Sequence, residues 1–171
     1  EMSPYLPKAY VAIEDERFYK HHGVDIKRTG KAILSFITNG GKSTAGGGST
    51  ITQQVVKNVT KEDDATGIDG VIRKMKEWVK AYQIESQMSK DQILELYLNL
   101  IYVGAGGSEK HGVEIGAEYY FNKSAKDLSL AECAFMAGIN YSPNSYNPYS
   151  TTEDNTEKIK NRTITVLNKM K

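Results

Sequence analysis

The feature of this sequence that most constrains its fold is a residue pair, three positions apart, that recurs at the start of helical stretches. Each pair matches a capping box, in which two side chains satisfy unpaired backbone N–H groups at the beginning of a helix. The pairs are Thr50 with Gln53, Ser89 with Gln92, and Ser129 with Glu132. Elsewhere the apolar residues also recur at helical spacing, whereas the alternation typical of strands is almost absent. We therefore predict a mainly helical protein with little or no sheet.

Three apolar patterns indicate individual helices. The first comprises Leu6, Ala9, Tyr10 and Ile13. The second follows a candidate N-cap at Asp25 and comprises Ile26, Gly30, Ile33, Leu34 and Ile37. The third lies within residues 69–87, and we expect its apolar side chains to face inward: Val71, Ile72, Met75, Val79 and Tyr82. Polar or glycine-rich runs at 39–48, 61–70, 104–108 and 140–149 are predicted as loops.

The totals limit the kind of protein this is. A length of 171 residues with 39% hydrophobic and 25% charged residues indicates a single globular domain over residues 1–171. A formal net charge of +1 gives no reason to expect nucleic acid as a partner. Cys133 is the single cysteine, so it forms no internal disulfide. No apolar run is long enough to span a membrane, and because the sequence opens directly in a helical pattern we expect a piece of a longer chain.

The first segment that suggests chemistry is the acidic run of Glu14, Asp15 and Glu16. It follows an apolar helical stripe, at the point where the helix should end. Acids at a helix C-terminus oppose the helix dipole, and a local mismatch of this kind is a mild indication of function. The alternative is a solvated helix end with an ion pair to Arg17.

The second segment is a glycine-rich loop that leads into a capped helix, over residues 46–57. Such a helix start presents backbone N–H groups and the positive end of the dipole, which suits a phosphate. Lys57 lies two turns further along and adds a full charge. The spacing is not that of a Walker A loop. The alternative is a flexible loop followed by an ordinary helix cap.

The third segment contains Arg73, Lys74 and Glu77. On a helix the two cations lie four and three residues before the acid, so all three side chains share one face. One interpretation is a surface ion pair worth roughly 0.3–0.5 kcal/mol. The other is a carboxylate held by cations that also face a diphosphate.

Together these segments resemble the signature motifs of the family 51 glycosyltransferases, the peptidoglycan polymerases. Members occur as monofunctional enzymes and as the glycosyltransferase half of class A penicillin-binding proteins. The first motif is matched by Glu14, Asp15, Phe18, His21 and Gly23. The second is matched by Gly47 or Gly48 through Gln54, and the third by Arg73, Lys74 and Glu77. Residues 93–99 resemble the fourth motif, and residues 128–132 with Ala137, Gly138 and Pro143 resemble the fifth.

The resemblance implies a lysozyme-like, mainly helical fold with a larger head lobe and a smaller membrane-facing jaw lobe, separated by a cleft. The jaw would include residues 26–37 and the loop that follows. The donor would be a growing glycan linked to undecaprenyl diphosphate, and the acceptor would be lipid II, joined through a β-1,4 bond with inversion. The expected partners are these lipids, the membrane surface and other cell-wall synthesis proteins. The expected location is the extracytoplasmic face of a bacterial plasma membrane, with an N-terminal transmembrane anchor outside this sequence.

The same resemblance assigns roles to the site residues. Glu14 would be the general base, with Asp15 supporting it, and Glu77 would be a second carboxylate that orients substrate and cations or touches a divalent ion. Lys57, Arg73 and Lys74 would contact the diphosphate, and Ser49 and Gln54 would hydrogen-bond near the donor. A divalent cation, Mg²⁺ or Mn²⁺, would be weakly bound and shared with the substrate diphosphate, since the sequence shows no dedicated carboxylate cage.

Two other functions stay open at this stage. A glycan-cleaving enzyme of lysozyme-like fold would also use an acid near a cleft, but its leaving group is a sugar and needs no cations comparable to Lys57, Arg73 and Lys74. A non-catalytic module that binds nascent cell wall is the other alternative, and it would have no need for both Glu14 and Glu77.

Overall fold

The computed structural model describes residues 1–38, 48–61, 67–105 and 109–171, with the backbone alone at positions 33, 36, 37, 67 and 105. The predicted loop at 39–48 therefore lies outside the described residues except for Gly48. The same holds for residues 62–66 and 106–108 of two other predicted loops. Only the backbone is described at Ile33 and Ile37, two residues of the second apolar pattern.

The described chain is mainly helical, as predicted. Its α-helices are α1 (Tyr5–Glu14), α2 (Ile26–Thr38), α3 (Ile51–Thr60), α4 (Gly67–Gln87), α5 (Lys90–Leu100), α6 (Val113–Phe121), α7 (Leu130–Ile139) and α8 (Thr156–Lys169). Short 3₁₀ turns lie at Phe18–Lys20 and Ala125–Asp127. Strands β1 (Tyr102–Ala105) and β2 (Glu109–His111) pair in antiparallel fashion. Gly104, predicted in a loop, lies in β1 opposite Lys110, because β1 and β2 form a short antiparallel ladder. No described helix is long and apolar enough to cross a membrane.

All three predicted capping boxes are formed. The Thr50 N–H donates to Gln53 Oε1 (3.0 Å), and the Gln53 N–H donates to Thr50 Oγ1 (3.2 Å). The pairs Ser89 with Gln92 and Ser129 with Glu132 make the same reciprocal bonds. The predicted cap of α2 is also present, since the Arg28 N–H donates to Asp25 Oδ1 (3.1 Å). These helix starts are determined by residues that lie within one helical turn of each other.

The chain divides into two compact units. The first consists of residues 1–16 and 98–171. Its core is built where α7 packs against α1 and α8. The predicted stripe of α1 is confirmed here for Leu6, Ala9 and Tyr10, which are fully buried, whereas Ile13 is half-buried. Gly138 lets α8 approach closely, since a Cβ at this position would lie 3.2 Å from Arg162 Cγ.

The second unit consists of residues 17–97, and its centre is the packing of α3 against α4. A buried polar cluster fastens these helices to the start of α5. Thr52 Oγ1 donates to Glu85 Oε1 (2.6 Å), and Lys90 Nζ donates to the same oxygen (2.7 Å). Lys90 also lies over the ring of the buried Phe18, 4.4 Å from its centroid. Phe18, a residue of the first motif, therefore has a role in helix packing and not in the chemistry of the site.

The inward direction predicted for the apolar side chains of α4 is wrong. Val71, Ile72, Met75, Val79 and Tyr82 are all exposed. The side of α4 that packs inward instead carries the buried charge of Glu77, which is 4% exposed. Amphipathic spacing predicts that the apolar side chains lie along one side of a helix. That side faces inward only when the polar side has no better partner than water. Here the polar side finds its partners within the protein.

Candidate active site

The end of α1 carries the predicted acidic pair, in the first unit. Glu14 is the last residue of the helix and is half-buried, and Asp15 follows as its C-cap and is fully buried. The Asp15 N–H donates to Val11 O (3.0 Å), so the acids stand at the negative end of the helix as predicted. One turn earlier, burial and then the charge of Glu14 raise the pKa of Tyr10, which keeps that phenol neutral.

The second unit brings together four of the predicted site residues. Lys74 Nζ donates to Glu77 Oε1 (2.5 Å) and to Ser49 Oγ (2.8 Å), and Arg73 Nη1 donates to Glu77 Oε2 (3.4 Å). The i,i+3 and i,i+4 pairs predicted on one helix face are therefore formed. They are not exposed surface pairs, because the Glu77 side chain is 5% exposed, against 20% for Arg73 and 33% for Lys74. A buried carboxylate is stable only with such partners.

The neutral partner of Glu77 is Gln53, which lies within the second motif but for which no site role is predicted from the sequence. Gln53 Nε2 donates to Glu77 Oε1 (2.9 Å) across the α3–α4 interface. The residue predicted from the motif is its neighbour Gln54, which is half-buried and whose N–H donates to Thr50 O (3.0 Å). The capping box already accounts for Gln53, and nothing in that local pattern points to a second partner 24 residues away. The spacing of the capping box identifies Gln53 as a residue of the helix start, but it does not identify Glu77 as its partner.

The start of α3 places the remaining predicted groups. Ser49 directly precedes the N-cap Thr50, and its hydroxyl accepts from Lys74. Lys57 is exposed and lies one turn beyond Gln53 on the same side of α3. Arg73 and Lys74 carry two positive charges beside the single negative charge of Glu77, and the start of α3 adds the positive end of a helix dipole. This arrangement suits a bound group with several negative charges, such as a diphosphate.

Gly23 anchors this helix start from the other side. Its backbone φ is +87°, and a Cβ there would lie 2.8 Å from the Ala81 backbone of α4, so glycine is required. The Gly23 carbonyl oxygen accepts the Thr50 hydroxyl (2.5 Å). The first motif thus contributes acids to one unit and a structural glycine to the other. His21 is buried, which agrees with a structural role for it.

The described residues do not form a site for a resident divalent metal. Among the described residues, no three His, Cys, Asp or Glu side chains are grouped closely enough to hold an ion. Glu77 already accepts three N–H groups, of the roughly four that a carboxylate can accept. Mg²⁺ or Mn²⁺ shared with a substrate diphosphate therefore stays a prediction.

Comparison with known proteins finds similarity along the whole chain. A family model described as Transglycosylase matches residues 1–171. Penicillin-binding protein 1A of Clostridium botulinum is 48% identical over 168 residues, which is 96% of this chain and 20% of that protein. Penicillin-binding protein 1A of Clostridium novyi is 45% identical over 175 residues (100% and 20%). Penicillin-binding protein 1F of Bacillus subtilis is 42% identical over 158 residues (92% and 21%). The chain spans about a fifth of the length of these relatives.

Proposed function

The chain belongs to the transglycosylase family, and on that premise we propose that it is a peptidoglycan glycosyltransferase that extends glycan strands from lipid II. The observation that carries the proposal is the buried carboxylate of Glu77, surrounded by Arg73, Lys74 and the start of α3. Sugar transfer from a lipid diphosphate releases a highly charged leaving group, and a cluster of cations at a helix start stabilises it. A glycan hydrolase releases a sugar and has no such requirement.

The proposed reaction needs a base and a site for the leaving group. Glu14 accepts the proton of the acceptor 4-hydroxyl while that oxygen attacks the anomeric carbon of the donor. The bond from the anomeric carbon to the diphosphate oxygen breaks, and undecaprenyl diphosphate leaves with the electron pair. Because attack and departure occur on opposite faces, the configuration inverts to β-1,4. General-base help is typically worth about 10²–10⁴ in rate.

The other residues take supporting roles in this proposal. Asp15 supports the position or ionisation of Glu14. Lys57, Arg73 and Lys74 hold the diphosphate, and stabilisation of developing charge often contributes more to catalysis than any other effect. Ser49 and Gln54 hydrogen-bond near the donor, and Glu77 keeps the cations and substrate oriented. A divalent cation, if used, is carried by the substrate diphosphate.

We also propose that the unit of residues 17–97 is the membrane-facing jaw of a lysozyme-like, two-lobed enzyme at the extracytoplasmic face of the plasma membrane. The support is the exposed apolar side of α4, together with Ile26 and Leu34 of α2, which are 81% and 62% exposed. Lys76 and Lys80 border the apolar side of α4, beside Ile72, Met75 and Val79. An apolar helix side with cations at its edge suits an anionic lipid surface.

The test of the enzymatic proposal is polymerisation of labelled lipid II, with Mg²⁺ present, by the wild type and by Glu14→Gln, with products separated by size. We expect long glycan from the wild type and a loss of at least about 10²-fold in rate for the variant. Polymer from both proteins would move the base away from Glu14. Shortening of preformed glycan without polymerisation would favour a hydrolase, and binding to glycan without any turnover would favour a non-catalytic module.

A further inference from the structure

We infer that Gln53 is a positioning residue whose side-chain amide joins the start of α3 to Glu77 and so fixes where that carboxylate lies. The inference rests on the proposed function, because it concerns a residue that acts through Glu77. Gln53 is 1% exposed, and both ends of its amide are engaged. Oε1 accepts the Thr50 N–H (3.0 Å), and Nε2 donates to Glu77 Oε1 (2.9 Å).

The chemistry of the two partners allows this amide a single orientation. A backbone N–H can only donate, so the end of the amide that faces Thr50 must be the oxygen. The NH₂ group is then directed at Glu77, where a carboxylate can only accept. Rotating the amide by 180° would place two donors together at Thr50 and two acceptors together at Glu77. The capping box therefore selects the orientation that supplies a donor to the carboxylate.

The Thr50 end of the link between Thr50, Gln53 and Glu77 is itself held in place by hydrogen bonds. The Thr50 hydroxyl accepts the Gln53 N–H (3.2 Å) and donates to the Gly23 carbonyl (2.5 Å). Gly23 in turn lies against the backbone of α4 at Ala81, where a Cβ would not fit. Gln53 is thus fixed through both its backbone and its side chain to elements that carry Glu77.

The other donors to Glu77 have different properties. Lys74 and Arg73 are cations on long stems, and both are proposed to contact the diphosphate. When substrate engages them, their hold on Glu77 weakens. Gln53 is neutral and buried, and it remains bound to Glu77 irrespective of the substrate. This gives Gln53 a function that the flexible cations cannot fulfil.

Capping by itself does not require a glutamine here. In the box at Ser129, the equivalent position is occupied by Glu132. In the exposed box at Ser89 it is occupied by Gln92, whose described hydrogen bonds lie within the box and do not include Glu77. A glutamate accepts the N-cap N–H as well as a glutamine does. Gln53→Glu therefore retains the cap and replaces the donor facing Glu77 by a second carboxylate. Gln92→Glu is the matched control, with the same change in another box of the same unit.

We would measure lipid II polymerisation by wild type, Gln53→Glu and Gln92→Glu from about pH 5 to 8.5, with circular dichroism to confirm folding. We expect Gln92→Glu to stay within about twofold of wild type, and Gln53→Glu to lose about tenfold or more near neutral pH. Two adjacent carboxylates share a proton at lower pH. The ratio of Gln53→Glu to wild-type activity should therefore rise as the pH falls, and taking the ratio cancels the pH effects that the two proteins share.

A double variant keeps the inference testable if Gln53→Glu does not fold. Gln53→Glu with Glu77→Gln restores an amide–carboxylate pair, so we expect a folded protein that stays inactive at every pH because the carboxylate has moved. Wild-type activity in this double variant, or a Gln53→Glu activity equal to wild type at every pH, would overturn the inference. A wild type that makes no polymer would instead refute the proposed function and this role with it.

Discussion

Replacing Thr50 by alanine removes two hydrogen bonds from one fully buried side chain. The hydroxyl accepts the Gln53 N–H, which caps α3, and donates to the Gly23 carbonyl, which belongs to a different segment. Thr50 is 0% exposed, so water cannot replace either partner. The change should therefore cost more than the loss of a helix cap.

The magnitude follows from these two contacts. Loss of an N-cap typically costs about 1 kcal/mol of the free energy of unfolding. A buried carbonyl left without its donor costs about 1–3 kcal/mol more. We therefore expect Thr50→Ala to lower the free energy of unfolding by about 2–4 kcal/mol.

Urea unfolding, followed by circular dichroism, measures this difference. Ser89→Ala is the matched control, because Ser89 caps α5 within the same unit and is exposed, so we expect a loss of about 1 kcal/mol. Thr50→Ser keeps the hydroxyl and should recover most of the loss. If Thr50→Ala proves no more costly than Ser89→Ala, the bond to Gly23 contributes nothing and the reasoning is refuted.

Two further predictions concern the membrane and pH. Val79→Glu, on the exposed apolar side of α4, should weaken binding to vesicles containing anionic lipid by about tenfold, since it removes apolar contact worth about 1–2 kcal/mol. Vesicle co-sedimentation measures this binding. Equal weakening by Ile164→Glu, on α8 of the other unit, would contradict the prediction. The hydrogen bond from Lys123 is the main cause that lowers the pKa of Glu132 to about 2. This pair stabilises the fold above the unfolded pKa of Glu132, and the contribution disappears as the pH falls from there to about 2. Lys123→Met should therefore cost about 0.5 kcal/mol at pH 7 and clearly less near pH 2 in urea unfolding; a loss that is independent of pH would argue against the ion pair.

Hydrogen bonds within one helical turn could be predicted from the sequence. All three capping boxes and the Asp25 cap are present, because the helix geometry alone brings residues three positions apart into contact. The same geometry correctly put Arg73, Lys74 and Glu77 on one face. The motifs also identified the family, since five short patterns in order require no knowledge of packing.

The direction of a helix face could not be predicted in this way. The apolar residues of α4 repeat at the expected spacing, yet they are exposed, and the side that carries Glu77 is buried. Periodicity describes how side chains are distributed around a helix, but packing decides which side is covered. The decisive partners are Gln53 and Ser49, which lie on other segments and approach α4 only when the chain folds.

The order of residues along the chain is thus sufficient to predict most of the helices, several of their starting points and the family. Packing between segments is what buries Glu77, joins it to Gln53 and leaves the apolar side of α4 facing outward. The physical reason is the range of the interactions. A cap or an i,i+4 pair is completed within one helical turn, whereas the Gln53–Glu77 bond joins two helices and exists only once α3 and α4 have packed together.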